Sequence, residues 1–141
     1  MKVTIVEIDA GQSVSVPGTT QLGHPARFRA PSVEGPATLV LRTGREPPGP
    51  GEVLDVDAKH AYISHFAELR EPTAPRVEPL ADAGDYRVEG PVMYRYDSGD
   101  FGVESGGFIF TLHRDDARGA LPEPRRWVSF RLHGLSLWER G

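Results

Sequence analysis

The sequence predicts an all-β fold, mainly an antiparallel barrel or sandwich, with one or two short helices near 57–71 and 115–121. Two observations lead to this prediction. Apolar and polar residues alternate with a period of two wherever a period is visible, which is typical of half-buried strands. The chain also contains 16 Gly and 13 Pro among 141 residues, which indicates many turns between short elements.

The first half of the chain consists of strand-like segments that Gly and Pro separate. These segments are KVTIVEI, SVSV, ARFRA, ATLVLRT and EVLDVD. The exception is 57–71, which contains helix formers, begins with Asp and is followed by Pro72. Because Tyr62 and Phe66 fall at helical spacing, we predict a helix there, although HAYISHF also alternates as a strand does.

The second half begins with a long alternating segment, YRVEGPVMYRY, which predicts a half-buried strand. Gly90 and Pro91 interrupt it, and since Pro cannot donate a ladder hydrogen bond, we expect an edge position or a bulge there. Two shorter strands should follow within 101–113. A helical turn at 115–121 then leads to a curled final strand, 127–138, with a bend at its internal Gly.

The tetrapeptide VEGP occurs twice, at 33–36 and 88–91. A four-residue match of these common residues is expected roughly 0.2 times by chance in a chain of this composition, and the flanking residues do not align. An internal duplication is therefore unsupported. We interpret both copies as strands in which Gly-Pro starts or kinks the strand and blunts a sheet edge.

Length and composition predict a single folded domain over 1–141. Hydrophobic residues make up 38% and charged residues 26% of the chain, as in folded soluble proteins. Two sub-halves, 1–71 and 84–141, would be joined by the Pro-rich segment 72–85. We expect this segment to be an ordered surface crossover.

The chain contains no cysteine, which excludes disulfides, thiolate catalysis and Cys-ligated zinc. The N-terminal segment lacks the apolar stretch of a signal peptide, because Glu7 and Asp9 interrupt it. No run approaches the length of a membrane span. We therefore expect a cytoplasmic protein that does not associate with membranes.

No catalytic, cofactor-binding or metal-binding residue is predicted, and no cofactor. The sequence has no GxSxG, HExxH or glycine-rich phosphate loop. His65 and Glu68 would meet if 57–71 were helical, and such a pair could bind a metal or transfer protons. A small metal-dependent enzyme is therefore kept as an alternative.

Nine of the twelve aromatic residues lie in 86–138, and the last part of the chain is also rich in Arg. Exposed Trp beside Arg is typical of binding hot spots. The residues predicted to bind a partner are Trp127, Arg126, Arg131 and Trp138.

The order of elements in 84–138 resembles part of an OB-fold barrel: a long kinked strand, two shorter strands, a helical turn and a curled strand. The OB-fold has five strands, so the N-terminal half would have to complete the barrel. The resemblance implies a binding module whose curved sheet face meets a partner.

We expect a non-catalytic β-barrel module that binds a protein partner, for example as an inhibitor or immunity-type protein. Its net charge of −4 suits basic partners and repels nucleic acid. The alternative of a different class is an OB-like protein that binds single-stranded nucleic acid through its C-terminal Arg and Trp residues.

Overall fold

The computed structural model describes residues 1–141 and contains twelve strands and one turn of 3-10 helix, Arg114–Ala117. No helix in it is long and apolar enough to cross a membrane. The strands are β1 (Lys2–Ile8), β2 (Val14–Ser15), β3 (Leu22–Ala30), β4 (Val33–Val40), β5 (Val53–Lys59), β6 (Tyr62–Leu69), β7 (Arg76–Pro79), β8 (Tyr86–Arg95), β9 (Asp100–Ser105), β10 (Phe108–His113), β11 (Trp127–His133) and β12 (Ser136–Glu139).

Five strands close into a barrel in the order β1, β5, β12, β4 and β3, because β3 also pairs with β1. Four of the five pairings are antiparallel, and only β12 and β4 run parallel. The short β2 extends the barrel beside β3. Closure leaves none of these five strands as a free edge.

The remaining strands form a second, antiparallel sheet in the order β10, β9, β8, β11 and β6, with β7 paired to β8. In the chain this sheet lies wholly between β5 and β12, which are neighbours in the barrel. The two sheets therefore do not correspond to the expected sub-halves, 1–71 and 84–141. The expected crossover, 72–85, contains β7 and so belongs to the second sheet.

One core joins the two sheets. It is a single cluster of 24 buried residues drawn from both. Phe28 of the barrel contacts Tyr86 and Phe108 of the second sheet, with ring centroids 6.4 and 5.9 Å apart. Since burial of aromatic surface dominates core energetics, this contact is a principal source of cohesion between the sheets.

Tyr86 makes the closest contact between the sheets. Its hydroxyl donates a 2.6 Å hydrogen bond to the carbonyl oxygen of Pro36 in β4. Gly35 makes room for it, because a Cβ there would lie 2.3 Å from the Tyr86 oxygen. Burial raises the pKa of the Tyr86 hydroxyl, so this hydroxyl remains a donor over the whole ordinary pH range.

The predicted all-β class is confirmed, whereas the predicted helix at 57–71 is wrong. That segment is the end of β5, a turn, and β6. β5 pairs with β1 and β12, and β6 pairs with β11. The cross-strand pairing overrides the local helix propensity of Ala, Lys, Glu and Leu.

The helical turn expected at 115–121 is shorter and starts earlier than predicted. His113, rather than Asp115, caps it: the His113 ring accepts from the Asp115 N–H at 3.1 Å, and Asp116 accepts from the His113 N–H at 2.9 Å. Arg118 then adopts the left-handed conformation (φ 60°) and ends the turn.

The Gly-Pro pairs do not mark sheet edges, contrary to the sequence interpretation. β4 belongs to the closed barrel and β8 lies between β9 and β11. Gly90 is required because a Cβ would lie 2.4 Å from the Glu104 carbonyl oxygen. Pro91 falls where the neighbour of β8 changes from β7 to β9, and a register shift follows between Val92 and Tyr94.

The closed barrel is not built from the region whose element order resembles an OB-fold. Residues 86–133 contribute only to the second sheet, and β12 is the one strand of 84–138 that enters the barrel. The bend expected at Gly134 is present. With φ 74°, it turns the chain from β11 of the second sheet into β12.

Candidate functional site

The outer face of the second sheet is the side of β6, β11 and β8 that points away from the core. Along β11, Val128, Phe130 and Leu132 are buried, and the residues between them are accessible. Arg131 lies directly opposite Ser64 on one neighbouring strand and Arg87 on the other, so these side chains share a face. The outer face comprises Tyr62, Ser64, Arg87, Trp127, Ser129, Arg131 and His133.

A chain of hydrogen bonds connects a serine, a histidine and an aspartate on this face. The Ser64 Oγ lies 2.6 Å from His133 Nε2, and His133 Nδ1 lies 2.9 Å from Asp85 Oδ2. Because a carboxylate can only accept, the neutral imidazole carries its hydrogen on Nδ1. Its Nε2 is then the acceptor for the Ser64 hydroxyl.

Strand register and two further contacts hold the imidazole in place. Ser64 and His133 are diagonal neighbours on adjacent strands, because Ser64 pairs with Arg131. Asp85 also accepts the Gly134 N–H at 3.3 Å. The Tyr62 ring stacks on the imidazole, with centroids 4.3 Å apart and planes at 12°. The orientation of His133 is therefore fixed from three sides.

A β-bulge follows Ser64. The pairing of β6 with β11 shifts register between Ser129 and Arg131, so that His65 and Phe66 both face Phe130. His65 has φ 54°, in the left-handed region that is costly for a non-glycine residue. Its Nδ1 lies 3.0 Å from Ser64 Oγ, which adds a second imidazole beside the hydroxyl.

Two arginines stand side by side next to this chain. Arg131 and Arg87 are direct cross-strand partners. Arg87 pairs with Glu89 at 3.1 Å, but no carboxylate lies within 4.0 Å of the Arg131 guanidinium nitrogens. The two arginines line an open cleft of about 290 Å³ together with His65, Leu80, Ser129 and Phe130.

The structure separates the four predicted partner-binding residues. Trp127 and Arg131 lie on the outer face, and Arg126 immediately precedes them and contacts Glu68 at 3.5 Å. Trp138 belongs to the barrel instead, where Lys59 lies over its ring at 4.2 Å. Both tryptophans are half-buried. The bend at Gly134 moves the chain to another sheet and does not return Trp138 to the same face.

Sequence reasoning missed Ser64, Asp85, His133 and Arg87. No motif connects residues this far apart in the chain, and only the pairing of β6, β11 and β8 brings them together. A strand interpretation of HAYISHF would have placed Tyr62 and Ser64 on one face. It could not have supplied the register that sets Ser64 beside His133.

The residues of the metal hypothesis are also on β6. His65 lies in the bulge, and Glu68 pairs with Arg126. No group of three or more His, Cys, Asp or Glu side chains is arranged to hold a metal ion.

The chemistry available on the outer face is thus a hydroxyl hydrogen-bonded to an oriented imidazole, beside two guanidinium groups and an open cleft.

Comparisons with protein-family models, with curated proteins and with solved structures return no match for this chain.

Proposed function

We propose that the protein is a binding module that engages a protein partner through the outer face of the second sheet. The observation that carries this proposal is the pair formed by Arg87 and Arg131. Like charges directly opposite each other on neighbouring strands disfavour the sheet. Glu89 already pairs with Arg87, so an anionic group seated at Arg131 would neutralise the charge that remains.

The partner group that fits this pair is a carboxylate. A guanidinium group presents its N–H donors as a planar fork that matches a carboxylate in two parallel bonds. Arg131 has all of its donors free of intramolecular carboxylates, as described above. An acidic side chain of the partner would therefore gain charge-assisted hydrogen bonds at Arg131 without displacing an existing ion pair.

Trp127 supplies an apolar anchor on the same face. It lies four residues before Arg131 on β11, and therefore on the same side of the strand. Its half-buried ring is held by the sheet and still presents surface. A rigid aromatic side chain beside Arg is the usual composition of a binding hot spot.

The acidic net charge, −4, favours a basic partner, whereas the arginine pair favours an acidic contact. The local charge decides docking, because charges further away than about 8–10 Å are largely screened at physiological salt. A partner that is basic as a whole and inserts one acidic side chain satisfies both. An inhibitor or immunity-type antagonist of a basic protein is the class we propose.

Affinity capture from the source organism, followed by a titration with the recovered partner, tests the proposal. Arg131→Glu should weaken binding roughly 30-fold or more, since reversing a hot-spot charge costs about 2 kcal/mol or more. Trp127→Ala should weaken it by a similar factor.

The matched control is Arg29→Glu, which changes the same charge on the barrel surface and should leave affinity within about threefold. If no stoichiometric protein is recovered, the proposed function is wrong. If both charge reversals weaken binding equally, the proposed face is wrong.

Single-stranded nucleic acid is the second candidate, and three observations favour it. The barrel has five strands, the number of an OB-fold, and phosphate also fits an arginine pair. Tyr94 and Tyr96 are both exposed and stacked, with ring centroids 6.4 Å apart, as in the aromatic platforms on which bases stack.

Titration of Trp fluorescence with oligonucleotides at low salt tests the nucleic-acid candidate. Absence of quenching at high micromolar oligonucleotide would exclude this candidate, because electrostatic binding is strongest at low salt.

A further inference from the structure

The Ser64, His133 and Asp85 side chains satisfy the geometric requirements of an acyl-transfer triad. Such a triad needs a hydroxyl within about 2.6–3.2 Å of an imidazole nitrogen, and a carboxylate on the other nitrogen. The distances here are 2.6 and 2.9 Å. In such a triad the serine is the nucleophile, the histidine is the base and the aspartate is the carboxylate that orients the histidine. These roles do not depend on the order of the residues along the chain.

The serine of this triad is flanked by residues that line an open cleft. Ser64 is half-buried. Its cross-strand partner Arg131 and its chain neighbour His65 both line the cleft of about 290 Å³. A purely structural serine–histidine bond has no need of an adjacent cleft, whereas a nucleophile requires room for a substrate beside its oxygen.

The backbone is strained immediately after the serine. His65 is one of three non-glycine residues with positive φ. The other two, Arg118 and Arg125, lie in loops. Strain of this kind persists where the surroundings impose it and is concentrated at functional sites.

We propose that Ser64, His133 and Asp85 hydrolyse esters by acyl transfer. Ser64 Oγ attacks the ester carbonyl carbon while its proton passes to His133 Nε2, and Asp85 stabilises the imidazolium. Collapse of the tetrahedral oxyanion breaks the bond to the alcohol, which leaves with the proton from His133. Water then attacks the acyl-serine carbonyl and gives a proton to His133. The second collapse releases the carboxylic acid and returns the proton to Ser64 Oγ.

Arg131 and Arg87 determine the class of ester. Arg131 lies opposite Ser64, so its guanidinium group can donate hydrogen bonds to the oxyanion that forms there. Arg87, one strand further, lines the same cleft and binds an anionic group of the substrate. The substrates are therefore small esters that carry a carboxylate or a phosphate. This inference uses only the side chains of the site and does not depend on a protein partner.

Covalent labelling of the wild-type protein tests the inference first. A fluorophosphonate probe forms a stable bond to an activated serine and to no ordinary one. Peptide mapping by mass spectrometry should find the probe on Ser64 alone. The absence of label on Ser64, or equal labelling of several serines, would overturn the inference.

Hydrolysis of 4-nitrophenyl acetate and of 4-nitrophenyl hemisuccinate, which adds a carboxylate, provides the second measurement. Ser64→Ala should lower the rate by roughly 100-fold or more, as loss of a nucleophile or base does. Ser15→Ala is the control, because Ser15 is an exposed serine on β2 of the barrel, and it should retain the wild-type rate. Arg87→Gln should raise KM for the hemisuccinate and leave the acetate unchanged. If Ser64→Ala keeps the full rate, the residues form only a structural link between β6 and β11.

Discussion

The arginines of the barrel differ from Arg131 of the second sheet in how they are neutralised. Every barrel-side arginine pairs with a carboxylate, whereas Arg131, in the middle of a central strand, pairs with none and faces Arg87. The barrel-side pairs are Arg27 and Arg29 with Glu34, Arg42 with Glu139, Arg45 with Glu139 and Glu52, and Arg140 with Asp57.

This difference separates residues that maintain the fold from residues that are available to a ligand. Closure of the barrel brings β12 beside β4, so that Glu139 reaches the loop after β4 and bonds the Arg42 N–H at 3.0 Å. The second sheet is open, and Arg131 on its outer face is exposed, whereas its neighbour Arg87 pairs with Glu89. A cation without an internal partner has its donors free for an external one.

The largest effect is expected at Glu139, whose side chain is only 8% exposed. Glu139→Gln should lower the free energy of unfolding by about 2 kcal/mol, because a neutral amide weakens the hydrogen bonds that the carboxylate accepts from the Arg42 N–H and the Arg45 guanidinium group. Denaturant melts measure it. Glu34→Gln is the control, since Glu34 is 37% exposed, and it should change the free energy of unfolding much less. Equal losses for the two variants would show that burial does not distinguish these ion pairs.

The strands of this fold could be predicted from sequence where alternation is strong and were missed where propensity opposes it. In 86–96 the apolar residues alternate, and β8 is there. In 57–71 the helix formers dominate, and the decisive information is the pairing of β6 with β11. That pairing joins residues 58 to 71 positions apart, so no local window contains it.

The site follows the same rule. Trp127 and Arg131 could be placed on one face because both lie on a single strand with a clear period. Trp138 could not, because Gly134 transfers the chain to the barrel. The hydrogen bonds of His133 depend on β6 and on the segment before β8. These partners are distant in the chain, and only the pairing of the strands brings them to His133.

A smaller effect is expected at the contact between the sheets. Tyr86→Phe removes the donor to the partly buried Pro36 carbonyl oxygen. The free energy of unfolding should fall by about 1–2 kcal/mol. Tyr94→Phe is the control, because the Tyr94 side chain is exposed, and it should change stability by less than about 0.5 kcal/mol. A loss below that value for Tyr86→Phe would mean that water replaces the hydroxyl.

The smallest effect is expected at Arg131. Substitution of this residue should change the free energy of unfolding with the opposite sign to substitution of a barrel arginine. Arg131→Gln removes one of two like charges that face each other, so it should raise the free energy of unfolding by about 0.2–1 kcal/mol. Arg29→Gln, which breaks a pair with Glu34 at 2.8 Å, should lower it by a similar amount. Both changes should shrink as salt screens the charges. Melts at low and high salt measure the two signs. A loss of stability in Arg131→Gln would show that this arginine already has an internal partner in solution, and the proposed anion site would then lack its free cation.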